Sequence, residues 1–319
     1  MSKILIIGSE SVAGANLAAR WSGRSNVYLV SLGRPVQIDG CVSWDAEARG
    51  NSQSPQAIRA EEVCRQLRPD MIVHCGPAAR SSWDPSTSAL ITDRLPDDCG
   101  QWAAAAAAHD AKFTMISSDA VFTGPWMFHD EDGPGYCDSP ESQRILQAEQ
   151  RVQQLCPTSL IIRTHLFGWA PTEAGPGWLE SLLARIESKR TVEQDPIRHA
   201  SPMLATDLAP IINRCWDEGL QGIFHVAGAE RVNPLNFAQR LADQFHLPWL
   251  TVRKDDSTIV RPFGFGAGEC SLQTKGIRLA LCIAMPLLNE SLERLEHQQV
   301  DGFRSRLGKK PQVVQLQAS

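Results

Sequence analysis

The residues best suited to chemistry in this sequence stand at the ends of short apolar runs. Gly8 and Gly14 follow Lys3–Ile7, a run too brief for a helix and therefore a strand, and they precede the helical stretch Ala15–Trp21. A glycine turn that opens a helix can present backbone N–H groups to an anion, or can serve only as the tight connection between strand and helix. Ser117, Ser118 and Asp119 close another such run, Phe113–Ser117. Two hydroxyls and a carboxylate at that place either hold a polar ligand or cap the strand end. The sequence has only two tyrosines, Tyr28 on a second apolar run and Tyr136 in a later loop, so phenol chemistry has few sources. Eight histidines show no His-x-x-x-His or His-Glu-x-x-His spacing, and no metal site is expected. The absence of Gly-x-Ser-x-Gly argues against a serine hydrolase elbow.

The elements that must position these residues alternate along the chain. Strands are expected at Lys3–Ile7, Asn26–Ser31, Met71–His74, Phe113–Ser117, Leu160–Arg163 and Gly222–Val226. Helices are expected at Ala15–Trp21, Ala57–Leu67, Gln101–His109, Glu141–Cys156, Trp178–Lys189, Ala209–Asp217 and Pro234–Phe245. Strand and helix in turn imply an α/β fold, a doubly wound parallel sheet with helices on both faces and ligands gathered beyond the carboxyl ends of the strands. The 319 residues suggest about two units. These are expected as residues 1–165 carrying the dinucleotide-type sheet, a smaller C-terminal lobe over 166–305, and a flexible tail over 306–319. Strands near residues 160 and 222 are candidates to return to the first sheet. A cleft between the two units is the expected ligand site.

Composition narrows the partners. With 43% apolar and 21% charged residues the chain can bury a core, which excludes wholly disordered readings. A net charge of −5 with scattered basic residues offers no footprint for nucleic acid or an anionic membrane, and small molecules lead. No apolar stretch approaches the roughly 20 residues that span a bilayer, and the first residues lack the pattern of a secretory leader, so cytoplasm is the expected location. Nine cysteines without a Cys-x-x-Cys pair read as reduced thiols that pack as small hydrophobes.

Seven blocks in order resemble the extended short-chain dehydrogenase/reductases, and specifically the dTDP-4-dehydrorhamnose reductase branch. They are Gly8-x5-Gly14, Arg68–His74, Ser117–Gly124, Ile161–Thr164, Ser201–Ala209, Gly222–Gly228 and Arg261-Pro262, which together span about residues 1 to 300. The resemblance implies a Rossmann-like sheet, a nicotinamide cofactor (NADP or NAD) and a nucleotide-sugar ligand, with no metal. It places Ser118 at the family's catalytic hydroxyl position and Ser117 near the cofactor. Asp119, Arg163, Thr164, Ser201, Pro202 and Arg261 would line the sugar site, and Trp126, Trp169 and Trp178 fall near loops that overhang it. A homodimer or a protein partner stays open.

Two parts of the family pattern are absent. Where the family has Tyr-x-x-x-Lys on one helix, spacing that puts phenol and ammonium on one face, this chain has Glu141 and Ile145. Tyr136 is nearer the reaction centre than Tyr28, but Pro140 stands four residues after it; Arg144 is the nearby cation, and Glu141 is a second candidate acid. In the glycine turn, Gly8 and Gly14 stand but Ser11 replaces the glycine between them, so a side chain is expected to intrude on the phosphate space. Glu10 would bring a carboxylate to the same place, or to the helix N-terminus. Arg34, after the second strand, stands where a 2′-phosphate would be met, which favours NADP over NAD if either binds. Two readings therefore remain: a catalytically degenerate relative that binds a nucleotide sugar, a dinucleotide or a protein, and a working NADP-dependent reductase of a 4-keto nucleotide sugar that uses Tyr136 or another acid.

Overall fold

A computed structural model describes residues 2–44, 60–257 and 264–308. The first half runs β1 (Lys3–Ile7), α1 (Val12–Trp21), β2 (Asn26–Val30), β3 (Val42–Ser43), α2 (Ala60–Leu67), β4 (Met71–His74), α3 (Thr87–Leu90), α4 (Leu95–Ala108) and β5 (Lys112–Ser118). It continues with α5 (Pro140–Leu155), β6 (Leu160–Phe167), α6 (Trp178–Glu187), β7 (Val192–Gln194), β8 (Pro202–Leu204), α7 (Ala205–Asp217), β9 (Gly222–His225), α8 (Pro234–Gln244), β10 (Val252–Lys254), α9 (Lys275–Leu281) and α10 (Leu288–Val300).

One parallel sheet organises these elements in the order β3-β2-β1-β4-β5-β6-β8, with β9 also paired to β6. Alternate residues of β1 feed opposite cores: Ile4 and Ile6 join the cluster with α1 and α7, while Leu5 and Ile7 join the one with α2, α4 and α5. Burial on both faces is why the strand reads as an unbroken apolar run. Strand order reverses between β1 and β4, and such a switch point opens a crevice at the carboxyl ends. β7 and β10 pair separately. Among the described residues no helix is long and apolar enough to cross a membrane.

Element ends depart from the sequence pattern for local reasons. α1 begins at Val12, three residues before the expected Ala15, because the Ser11 hydroxyl caps it. α4 starts at Leu95, six residues ahead of Gln101, with Pro96 in its first turn. α7 starts at Ala205, ahead of Ala209, with Pro210 inside the helix. Ala205 and Leu208 are both fully buried, and that packing offsets the lost backbone bond, a cost of about 3 kcal/mol. β6 runs on to Phe167, past the expected Arg163, with all eight residues buried. Arg163 and His165 found partners on neighbouring elements, which a sequence pattern cannot display. Of the expected tail, Arg306 donates to Ala19 O and Ser22 Oγ at the end of α1, both at 2.7 Å, and the buried Leu307 accepts Thr172 N–H at 3.0 Å; residues 309–319 lie outside the described residues.

The β5–β6–α5 junction is held by a buried ion pair. Arg163 Nη2 lies 2.8 Å from Glu149 Oε2, each side chain only 2% exposed, and Ser117 Oγ donates to Glu149 Oε1 at 2.6 Å. Glu149→Ala would leave the guanidinium buried without its counter-charge. Urea unfolding should then report a loss of about 3 to 5 kcal/mol.

Candidate functional site

The crevice at the switch point is a cavity of about 660 Å³ at the carboxyl ends of β1, β2 and β4, lined by Glu10, Ser11, Arg34, His74, Gly76, Arg80, Arg94 and Asp98 among others. Its floor is the turn after β1. Gly8 holds φ +79°, and a Cβ there would meet Cys75 O at 2.3 Å; one on Gly14 would meet Gly8 O at 2.4 Å. Both glycines are required for the turn and its contact with β4.

Ser11 and Glu10 correct the sequence expectation. The Ser11 hydroxyl donates to Gly8 O at 2.8 Å and accepts Gly14 N–H at 3.0 Å, so its side chain folds into its own turn rather than into the phosphate space. Glu10 lines the cavity but is tied to its β2 side, where its carboxylate accepts Leu32 N–H at 3.2 Å. Burial raises its pKa above the ordinary 4.5, opposed by backbone N–H groups and by Arg80. Arg34 is exposed and lines the same cavity. His74, fully buried, is pushed down to about 4 by desolvation and lines the wall as a neutral imidazole.

Beyond the cavity, the strand-end residues have partners of their own. Ser118 Oγ accepts Ala120 N–H at 3.0 Å and lies 3.4 Å from Asp119 Oδ1, capping the turn that follows β5. Ser117 points to Glu149 instead. Asp119 Oδ2 is 2.9 Å from His165 Nδ1, and His165 Nε2 is 2.9 Å from Ser81 Oγ. Tyr136 is 40% exposed, stacked on Phe122 with centroids 5.2 Å apart, and its hydroxyl donates to Glu131 O at 3.5 Å. The structure thus gives Tyr136 and Ser118 different partners. The Arg163 guanidinium lies 5.5 Å from the Tyr136 ring centre.

On α5, Glu141 accepts from Ser88 Oγ at 2.7 Å, Arg144 Nε donates to Asp93 at 2.6 Å, and Ile145 is fully buried. In β6, Thr164 pairs in register with Ser118, and its Oγ1 is buried with no hydrogen-bond partner among the described residues. Ser201 Oγ accepts Leu272 N–H at 3.3 Å, beside the buried Pro202 that opens β8. Arg261 and Pro262 lie outside the described residues. Trp126 is exposed, as an overhanging residue would be, whereas Trp169 is 1% exposed and carries Arg304 over its ring at 4.4 Å, a packing role. Trp178 meets Trp83 and Phe237. No cluster able to hold a metal ion occurs among the described residues. Sequence reasoning missed Ser81 and His165, which stand 84 positions apart; the one available signal was a histidine inside an otherwise buried strand.

Residues 2–262 match the family model described as RmlD substrate binding domain. A Haloferax volcanii protein named "Probable low-salt glycan biosynthesis reductase Agl14" is 24% identical over 258 residues, which is 75% of this chain and 80% of that protein. Two solved structures share the fold. The Bacillus anthracis dTDP-4-dehydrorhamnose reductase in complex with NADP is 20% identical, with TM-score 0.71 over 93% of this chain and all of that one. Bordetella bronchiseptica WbmG in complex with NAD and UDP is 14% identical, with TM-score 0.69 over 94% and 95%.

Two of the shifted groups in the cavity wall, Glu10 and His74, pull stability in opposite directions with pH. Glu10, raised in the folded state, weakens that state as pH rises above 4.5, so Glu10→Gln should stabilise the protein at pH 7 and give a gain that vanishes below pH 4.5. His74, lowered to about 4, favours unfolding as pH falls from 6.5, by roughly 3 kcal/mol once both states are protonated. Urea midpoints measured between pH 3.5 and 7.5, each limit taken at about that value, check both signs.

Proposed function

The chain belongs to the RmlD substrate binding domain family, and from that premise we propose that it binds a nucleotide sugar without carrying out conventional hydride transfer. The observation that carries this reading is α5. At the two positions where the resemblance to dTDP-4-dehydrorhamnose reductases calls for phenol and ammonium, Glu141 is held by Ser88 and Ile145 is sealed in the core. Hydride arriving at a ketone makes an alkoxide, and no acid of the usual kind stands ready to protonate it.

The cavity residues fit a dinucleotide in shape and partly in charge. Gly8 and Gly14 keep the backbone of the turn close to β4, and Arg34, Arg80 and Arg94 supply positive charge against Glu10 and Asp98. Arg34 would meet a 2′-phosphate, so NADP is favoured over NAD. A nicotinamide bound there would carry a transferable hydride, used only in the second reading below; this chain's own residues would hold its ribose and phosphates. The sugar would extend toward the part of the chain after about residue 165. Thr164 Oγ1, unpartnered and in register with Ser118, is a hydroxyl left over for it.

A specific observation favours a second reading, an NADP-dependent reductase of a 4-keto nucleotide sugar with Tyr136 as acid: a guanidinium does stand beside the phenol. Arg163 is already neutralised by Glu149, however, and a planar guanidinium does not replace an ammonium that grips a ribose.

Tryptophan fluorescence titrated with nucleotide sugars, NADPH and NADH, together with an assay of NADPH oxidation by a 4-keto nucleotide sugar, separates the readings. We expect quenching by a nucleotide sugar and no oxidation above background. Turnover that disappears in Tyr136→Phe would establish the second reading instead. Arg34→Ala should weaken NADPH roughly tenfold and leave NADH unchanged, as loss of a phosphate contact worth about 1.4 kcal/mol requires.

A further inference from the structure

Three side chains from three separate stretches of the chain meet beside the carboxyl edge of the sheet. Ser81 lies between β4 and α3, Asp119 directly after β5, and His165 in the last part of β6. They keep only 6%, 1% and 1% of their surface. Asp119 Oδ2 stands 2.9 Å from His165 Nδ1, and Ser81 Oγ stands 2.9 Å from His165 Nε2.

The directions of these bonds follow from what each atom can do. A carboxylate only accepts, so Nδ1 carries the proton given to Asp119 and Nε2 keeps its lone pair for a donor. Ser81 Oγ also accepts the Trp83 N–H at 3.1 Å, which leaves its own proton to point at Nε2. The segment is fixed on both sides. Thr87 Oγ1 donates to Ser81 O at 2.8 Å, and the Trp83 ring packs on the imidazole with centroids 4.5 Å apart. A hydroxyl, a base within hydrogen-bond reach and a carboxylate that orients the base form the arrangement that activates serine nucleophiles, recognised by geometry and independent of sequence order. Ser81 directly follows Arg80, which lines the cavity.

We propose that Ser81 is an activated nucleophile that accepts the acyl group of small esters, an activity separate from nucleotide binding. Ser81 Oγ bonds to the ester carbonyl carbon as its proton passes to His165 Nε2. The carbon–oxygen bond to the alcohol then breaks, and the departing alkoxide takes that proton. Water attacks the acyl-serine, giving one proton to Nε2; the Ser81 ester bond breaks, Oγ recovers the proton, and a carboxylic acid leaves. Asp119 keeps its bond to Nδ1 and steadies the imidazolium in both halves.

The test treats the full chain with diisopropyl fluorophosphate, a small reagent that bonds serine oxygen to phosphorus with loss of fluoride, and maps adducts by mass spectrometry. One adduct per chain is expected, on Ser81, formed by the folded protein and not in concentrated urea. It should be absent in Ser81→Ala and form roughly a hundredfold more slowly in His165→Gln, the lower end of what a positioned base contributes. Slow hydrolysis of p-nitrophenyl acetate should accompany it and stop once the adduct is complete. Absence of an adduct on folded wild-type protein overturns the proposal with no variant needed, as does equal labelling of Ser81 in urea. Either result would leave the trio as a structural tie between β4, β5 and β6. Nucleotide-sugar titration is read independently of these outcomes.

Discussion

Burying the Arg163 guanidinium inside a parallel sheet is the constraint on which the rest of the strand-end architecture depends. Such a charge is tolerable only with a counter-charge and a full set of acceptors. Glu149 from α5 supplies the first, while Glu131 O at 3.1 Å and the faces of Phe122 and Tyr136 fill the remaining directions. Satisfying it fixes the rotation of α5 about its own axis. Four residues before Glu149 on the same face lies Ile145, which therefore enters the core, and Glu141 one turn earlier comes to rest against Ser88. Where the side chains at these two positions come to rest thus follows from how that helix is held.

The pleat then divides two adjacent serines between different tasks. Ser117 lies in register with Arg163 and faces Glu149, while Ser118 lies in register with Thr164 on the other side. Past the end of the strand the backbone turns, and Asp119 swings inward to His165. One short sequence, Ser117-Ser118-Asp119, thereby serves an ion pair, a strand-end cap and a carboxylate–imidazole contact within a few ångströms of each other.

At the opposite side of the switch point the same economy shapes the cavity. Gly8 admits the backbone of β4, Ser11 turns its hydroxyl onto the helix it caps, and Glu10 spans to the end of β2. The carboxylate is thereby tied to the β2 side of the cavity. What faces the cavity is a mixture of three arginines with two acids.

The sequence alone determined the sheet and its family, because apolar runs of strand length separated by helical patterns admit few topologies, and the motif blocks came in order. It determined as well the substitution of Glu141 and Ile145, since spacing along one helix is a local property. Only the tertiary structure decided where side chains aim. Ser11 reads as an intrusion until its hydroxyl is seen bonded to Gly8 and Gly14; Trp169 reads as an overhanging ring until it is seen beneath Arg304; and the last turn of β6 is hidden by polar residues whose partners lie 14 to 84 positions away. Ser81, Asp119 and His165 come together for the same reason. A hydrogen bond between strand ends depends on how the sheet is assembled, and separation along the chain carries no trace of it.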